Sequence, residues 1–276
     1  MAEKLQNSSQ PLNERVGWGL PHRDPIGGLK PTLPGQNPSE TPVVDVAGVC
    51  KSFGSQVVLE DISFHLTSGQ GLCICGANAA GKTTLLRIMA GLLQPGAGAV
   101  RICGFDVKTQ ARQARARFGV IFHKSMVYPQ LTVIENLRFF ALIYGVGDAK
   151  DHIEKLLEQT ALMHYRYDRA GVLSRGMMQR LAIARALVHK PIVLLADEPF
   201  TGLDADASDH LVTILNNFRG QGGAIVMTTH DVNLSLQCCQ HVAVLDAQRL
   251  VFNTKTSEID TAAFARDYLS YVRANR

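Results

Sequence analysis

The residues of this chain best suited to chemistry stand at Gly76-Ala77-Asn78-Ala79-Ala80-Gly81-Lys82-Thr83, the spacing G-x-x-x-x-G-K-[ST] of a phosphate-binding loop. Such a loop surrounds a polyphosphate with backbone N–H groups, and its glycines permit backbone angles and a closeness of approach that side chains block. Lys82 supplies a mobile cation for the outer phosphates, and the Thr83 hydroxyl supplies an oxygen for Mg²⁺. Further along, an apolar run ends in Asp197-Glu198, and another ends at His230. Magnesium–nucleotide chemistry needs a carboxylate for the metal shell and a group to deprotonate the attacking water. Asp197 fits the first role and Glu198, pointing the other way, fits the second. His230, at a strand end, is placed to reach the terminal phosphate.

These groups need rigid elements behind them. Gly71-Leu72-Cys73-Ile74-Cys75 reads as a buried strand leading into the loop, and Leu85, Leu86, Met89 and Leu92 recur at helical spacing after it, with Gly91, Pro95 and Gly96 as its stop. Ile192 to Glu198, Ala224 to Thr229 and Val242 to Leu245 read as further strands of a parallel sheet, whose C-terminal edge opens on a ligand. Short β-like runs at Val43 to Val49, Val57 to Leu59 and Ile62 to Leu66 predict a small antiparallel layer. Phe53 stands between two of them among turn residues, where its ring either stacks on a base or packs under the loop. Gly119 to Phe122 predicts one more strand. Thr132 with Glu135 predicts a capped helix start, and the period continues as helix to about Leu162. Met178, Leu181, Ala182 and Ala186 share a face of a helix beginning near Leu173-Ser174, and Ser257 to Val272 reads as an amphipathic helix carrying Ile259, Phe264, Leu269 and Val272 inward.

The balance of 28 basic against 24 acidic residues, net +4, is too mild to demand nucleic acid or an anionic membrane as partner. No run of apolar residues is long enough for a membrane span, and the first residues lack the layout of a secretory signal, so the expectation is a soluble intracellular chain. Cys50, Cys73, Cys75, Cys103, Cys238 and Cys239 show no metal spacing and read as reduced core residues. Arg112, Arg115 and Arg117 read as a solvated helix face. Residues 1–42 hold seven prolines and no sustained apolar period, which predicts a disordered extension, with Trp18 as a candidate docking element.

Over roughly Val43 to Phe252 the chain resembles the ATPase subunit of an ABC transporter, with the family's motifs in order. Phe53 matches the aromatic that stacks on adenine, and Gly76 to Thr84 the Walker A loop. Leu173-Ser174-Arg175-Gly176-Met177 matches the signature, and Ile192 to Asp197 Walker B. Glu198 matches the catalytic glutamate, Thr201-Gly202-Leu203-Asp204 the D-loop, and His230 the switch histidine. The resemblance implies an α/β P-loop NTPase fold with a mixed central sheet, a small antiparallel β layer and an inserted helical subdomain at about 124–184, within an ATP-binding domain of 43–255 followed by a helix at 256–276. It also implies ATP and Mg²⁺ as cofactors and a homodimer in which Ser174 and the Gly176 amide of one subunit close on ATP held by the other. A separate integral membrane subunit is then driven from the cytoplasmic face of the inner membrane, and no nucleic acid is a partner.

Four positions depart from the family pattern. Ala79 replaces a loop glycine, which its methyl tolerates where the local φ is negative. Arg175 and Met177 stand where the signature usually has Gly and Gln. His123 takes the place of the Q-loop glutamine, where a neutral imidazole reaches water or Mg²⁺ and a protonated one loses that acceptor; it is therefore a third catalytic candidate. The signature string, the run from Asp197 to Asp204 and His123 together resemble the ATP-binding subunit of the haem exporter for cytochrome c maturation. Exporters of drugs, lipids or polysaccharides are the nearest alternative. A soluble ATPase of the same family acting on nucleic acid or ribosomes is the alternative of a different class, disfavoured because this chain shows no long coiled-coil insertion, zinc module or second ATPase domain.

Overall fold

The computed structural model describes residues 41–268 except 123, 124, 231, 262 and 265. The expected extension before Thr41, Trp18, His123, Leu269 and Val272 all lie outside the described residues.

Two sheets organise the chain. The first is four-stranded and antiparallel in the order β2-β1-β4-β5, from β1 (Val44–Phe53), β2 (Gln56–Leu66), β4 (Ala97–Ile102) and β5 (Phe105–Asp106). The second has six strands in the order β10-β9-β3-β8-β7-β6, from β3 (Gly71–Cys75), β6 (Phe118–Ile121), β7 (Val193–Asp197), β8 (Ala224–Thr229), β9 (His241–Asp246) and β10 (Arg249–Lys255). Pairings within it are parallel except β9 with β10, so the central sheet is mixed. Every residue of β3, β7 and β8 is buried, which accounts for their unbroken apolar character: both faces of a central parallel strand are covered.

Helix α1 (Lys82–Met89) packs over β7 and β8 with Leu85, Leu86, Ile88 and Met89 buried, each removed from water at a gain of roughly 1.5–3 kcal/mol. Leu92 falls past the helix end and is 60% exposed, because Gly91 turns the chain with a positive φ of 64°. The predicted runs Val57–Leu59 and Ile62–Leu66 are one strand; Asp61, at φ 51°, kinks it where the β1–β2 register shifts near Val49–Ile62, without ending it.

Between β6 and β7 lies a helical insertion, preceded by the short α2 (Ala111–Arg115), which carries Arg112 and Arg115; Arg117 is exposed too but lies past the helix end. The single helix predicted to Leu162 is two, α3 (Val133–Ile143) and α4 (Lys150–Gln159), separated by a turn in which Gly145 has φ 67°. The start of α3 is closed by a capping box: Thr132 Oγ1 accepts the Glu135 N–H and Glu135 Oε2 accepts the Thr132 N–H at 2.8 Å. Asn136, fully buried, holds the loop before it through Tyr128, Leu131 and Thr132 backbone groups. Then come α5 (Arg175–Leu187), α6 (Ala205–Gly220) and α7 (Val232–Cys238). Helical residues 266–268 return Tyr268 to the core, where Phe264 is buried too. Among the described residues no helix is long and apolar enough to cross a membrane.

Candidate functional site

Strand register brings the motif residues together. β8 lies between β3 and β7, with Cys75 opposite Thr229 and Asp197 opposite Thr228. The phosphate loop, His230 and Glu198 each follow one of these three strands by a single residue, so all emerge at one edge of the sheet.

The loop from Gly76 to Lys82 needs two of its glycines for identifiable reasons. A Cβ on Gly76 would lie 2.6 Å from the Leu245 carbonyl oxygen. Gly81 has φ 104° and would press a Cβ against Leu59 and the Val58 carbonyl at 2.9 Å. Gly81 is the N-cap of α1, and no side chain caps that end. The first-turn N–H groups of Lys82, Thr83 and Thr84 therefore remain available at the positive end of the helix, as an anion requires. Lys82 is nearly buried; its Nζ donates to the Gly76 carbonyl at 2.8 Å and the Ala77 carbonyl at 3.0 Å. Burial lowers its pKa, opposed by Glu198, Cys75 and Asp197 nearby. Asn78 and Ala79 are exposed at the loop tip, and the Ala80 N–H donates to the Ala77 carbonyl at 3.2 Å.

Ala79 departs from expectation. Its φ is +65°, so the condition under which a methyl is easily tolerated there does not hold. An alanine in the left-handed region costs on the order of 1–2 kcal/mol, and the fixed loop ends on either side impose it.

Asp197, 6% exposed, accepts the Thr83 hydroxyl at 3.1 Å and the Thr228 hydroxyl at 2.6 Å on the same oxygen, Oδ1. Two hard oxygen ligands from different elements are thus side by side, the donor set Mg²⁺ prefers. Glu198 follows with φ 53°, held by its N–H on the Thr228 carbonyl at 2.9 Å. Its Oε2 accepts from His230 Nδ1 at 2.7 Å, and from the His230 N–H at 3.3 Å. His230 is thus engaged with Glu198, an interaction that no spacing in the sequence signals.

Ser174 caps α5, its Oγ accepting the Met177 N–H at 3.3 Å, and is exposed beside the half-buried Gly176. Arg175 folds back over Gly202 and donates from Nη2 to the Thr201 carbonyl at 3.3 Å. Gln179, one turn on, donates to the Pro199 carbonyl at 3.0 Å. A cavity of about 120 Å³ between α5 and this loop is lined by Phe122, Ser125, Arg175, Gln179, Glu198 and Thr201. His123, next to Phe122 in the sequence, is outside the described residues. A roomier cavity, about 560 Å³, lies between α4 and α6 and contains none of the motif residues.

Phe53 ends β1 with 51% of its surface exposed and Lys51 Nζ at 5.1 Å from its ring centre, so it does not pack under a loop. Its hairpin runs past Gly81, whose neighbour Val58 lies on β2. All six cysteines are free, with Cys73, Cys75, Cys238 and Cys239 buried and Cys50 and Cys103 half-buried.

Comparison with known proteins agrees with this arrangement. A family profile described as ABC transporter matches residues 59–201. The Nod factor export ATP-binding protein I of Cupriavidus metallidurans is 36% identical over 221 residues, covering 79% of this chain and 73% of that protein. Its namesake from Ralstonia nicotianae is 35% identical over 230 residues, 83% of this chain and 72% of that one. A solved structure described as an ATP binding subunit of an ABC transporter superposes with TM-score 0.75 at 28% identity, covering 85% of this chain and all of that one.

Proposed function

Because this chain belongs to the ABC transporter family as an ATP-binding, ATP-hydrolysing subunit, we propose that it powers export through a separate integral membrane subunit, working as two copies joined head to tail around ATP. The observation that carries this reading is the meeting of Lys82, Thr83, Asp197, Glu198 and His230 at one sheet edge, while the exposed Ser174 and the half-buried Gly176 stand at the start of α5. In the proposed dimer those two face the nucleotide of the other copy, and their helix N-terminus adds N–H donors to its terminal phosphate.

The chain's own groups then act in order. The loop N–H groups after Gly76, with those of Lys82, Thr83 and Thr84 at the start of α1, receive the phosphates, and Lys82 leaves two backbone carbonyls for them. Phe53 offers its exposed face to the base. Thr83 and Asp197 would hold Mg²⁺, which when bound supplies charge neutralisation on the phosphates. Glu198 accepts a proton from the attacking water, oriented by His230. His123, the remaining catalytic candidate, stays a proposal resting on its place in the sequence.

The membrane partner has a candidate surface. Of the eleven large apolar side chains exposed among the described residues, eight lie between Met126 and Val172, in the helical insertion. Leu142, at 79% exposure, and Ile143, at 60%, stand at the end of α3. A peripheral position on the cytoplasmic face of a membrane follows from that partnership. For the cargo, we take the export class named in the relatives as the working reading. Haem handling rests on the motif strings and His123 alone.

Co-purification from solubilised membranes tests the proposal. Recovery with an integral membrane protein that stimulates ATP hydrolysis is expected; recovery with nucleic acid or ribosomes instead would overturn it.

A further inference from the structure

The peptide of Gly76 is held on both sides. Its carbonyl accepts Lys82 Nζ, and its N–H donates to the phenolic oxygen of Tyr268 at 2.8 Å, across 192 residues of sequence. Tyr268 is 1% exposed, and its ring lies parallel to that of Phe264 with centroids 6.3 Å apart. Both rings share an apolar cluster with Cys73 and Cys75, whereas Leu72 and Ile74 belong to the cluster on the other side of the sheet. Alternation along β3 thus turns its small side chains toward Tyr268 and its large ones away, which leaves room for the ring. The two thiols on that face are 3.4 Å apart.

Packing alone does not call for the hydroxyl, since phenylalanine fills nearly the same volume. A buried hydroxyl is costly without a partner, and the partner here is the amide that opens the phosphate loop. Gly76 has little freedom to move aside, with Leu245 and Ala80 close by. We propose that Tyr268 is a positioning residue of the nucleotide site: its hydroxyl fixes the Gly76 peptide, so the loop is already shaped before ATP arrives and keeps that shape when Lys82 leaves the Gly76 carbonyl for the phosphates. The inference rests on the reading of residues 76–84 as the nucleotide loop. It makes the stretch after β10, beyond the matched family profile, part of the ATP site, and anything that lifts this stretch off β3 weakens ATP binding.

Tyr268→Phe in the full chain tests this. Without the hydroxyl the buried Gly76 N–H is left unpaired and the free loop is held less firmly, an ordering cost that binding must meet, so the ATP Kd and KM rise about three- to tenfold while kcat stays within about twofold. Exchange of the Gly76 amide hydrogen, followed by NMR, becomes faster in the variant. Unchanged ATP affinity overturns the proposal, even where the melting temperature falls or the Gly76 exchange quickens, because Tyr268 then does not shape the loop for ATP. Wild-type protein that binds no MgATP overturns the loop reading itself and this inference with it; wild-type binding that Tyr268→Phe matches overturns this inference alone.

Discussion

The side chains of Glu198 and His230 are joined, Nδ1 of the histidine donating to Oε2 of the glutamate at 2.7 Å. The His230 N–H and the Thr201 hydroxyl reach the same oxygen at 3.3 and 3.5 Å, which leaves Oε1 as the oxygen to take a proton from water.

Glu198→Gln is therefore expected to lower ATP hydrolysis by about 10²–10⁴-fold with ATP binding retained. His230→Ala, which removes only the orienting ring, is expected to cost about 10- to 100-fold. Phosphate release by the purified protein measures both. Wild-type turnover in Glu198→Gln would remove that residue from the base role.

Ala79 makes an opposite kind of prediction, a gain. Glycine at this position relieves the positive φ at the expense of extra freedom in the unfolded chain. The net is a stabilisation of roughly 0.5–1 kcal/mol, or about 1–4 °C in melting temperature for a domain of this size. A lower melting temperature in Ala79→Gly would show that the loop is not strained there.

Arg175 links the start of α5 to the loop after β7 through the Thr201 carbonyl, and it covers Gly202. In Arg175→Ala the loop bearing Thr201 and Leu203 loses that tie, so hydrolysis is expected to fall about three- to tenfold while stability changes by less than about 0.5 kcal/mol. Steady-state kinetics at saturating ATP decides the matter; an unchanged kcat would mean the contact is incidental.

Several histidines make the fold sensitive to acid. Burial lowers the pKa of His189, which stacks on Tyr144 at 3.9 Å, and burial likewise lowers that of His241, with Lys255 adding to the shift. His152 and His210 shift the same way. Between the depressed folded values and the unfolded value of about 6.5, the unfolded chain binds more protons, so stability rises with pH and is lost as pH falls below about 6.5. Thermal melts at about pH 7.5 and about pH 5.5 should show the drop, and His189→Gln should make it smaller. An equal drop in the variant would assign the acid sensitivity elsewhere.

The parts of this molecule readable from the chain alone are those whose chemistry is local. The phosphate loop, the strand running into Asp197, the cap at Thr132 and the helix start near Ser174 each declare themselves within a few residues. Strand β10 does not. It is joined to β9 by Ala247-Gln248, both at positive φ, a turn that normally announces itself with asparagine or glycine. Here it is imposed by its surroundings: the Glu60 N–H binds the Gln248 carbonyl, and Arg249 pairs with Glu60. The kink at Asp61, the bond from His230 to Glu198 and the seat of Tyr268 are likewise products of contacts between segments apart in the chain. Periodicity carries no trace of them.

The place of β3 in the sheet also bears on how the protein is made. Its two neighbours, β8 and β9, come from Ala224–Thr229 and His241–Asp246, some 150 residues later in the chain. A ribosome therefore releases the whole phosphate loop long before the strands that hold it exist. Until then β3 is an apolar ribbon with two open edges, prone to pairing with another chain. ATP cannot assist the early stages of folding, and a fragment broken off before β8 has no nucleotide site.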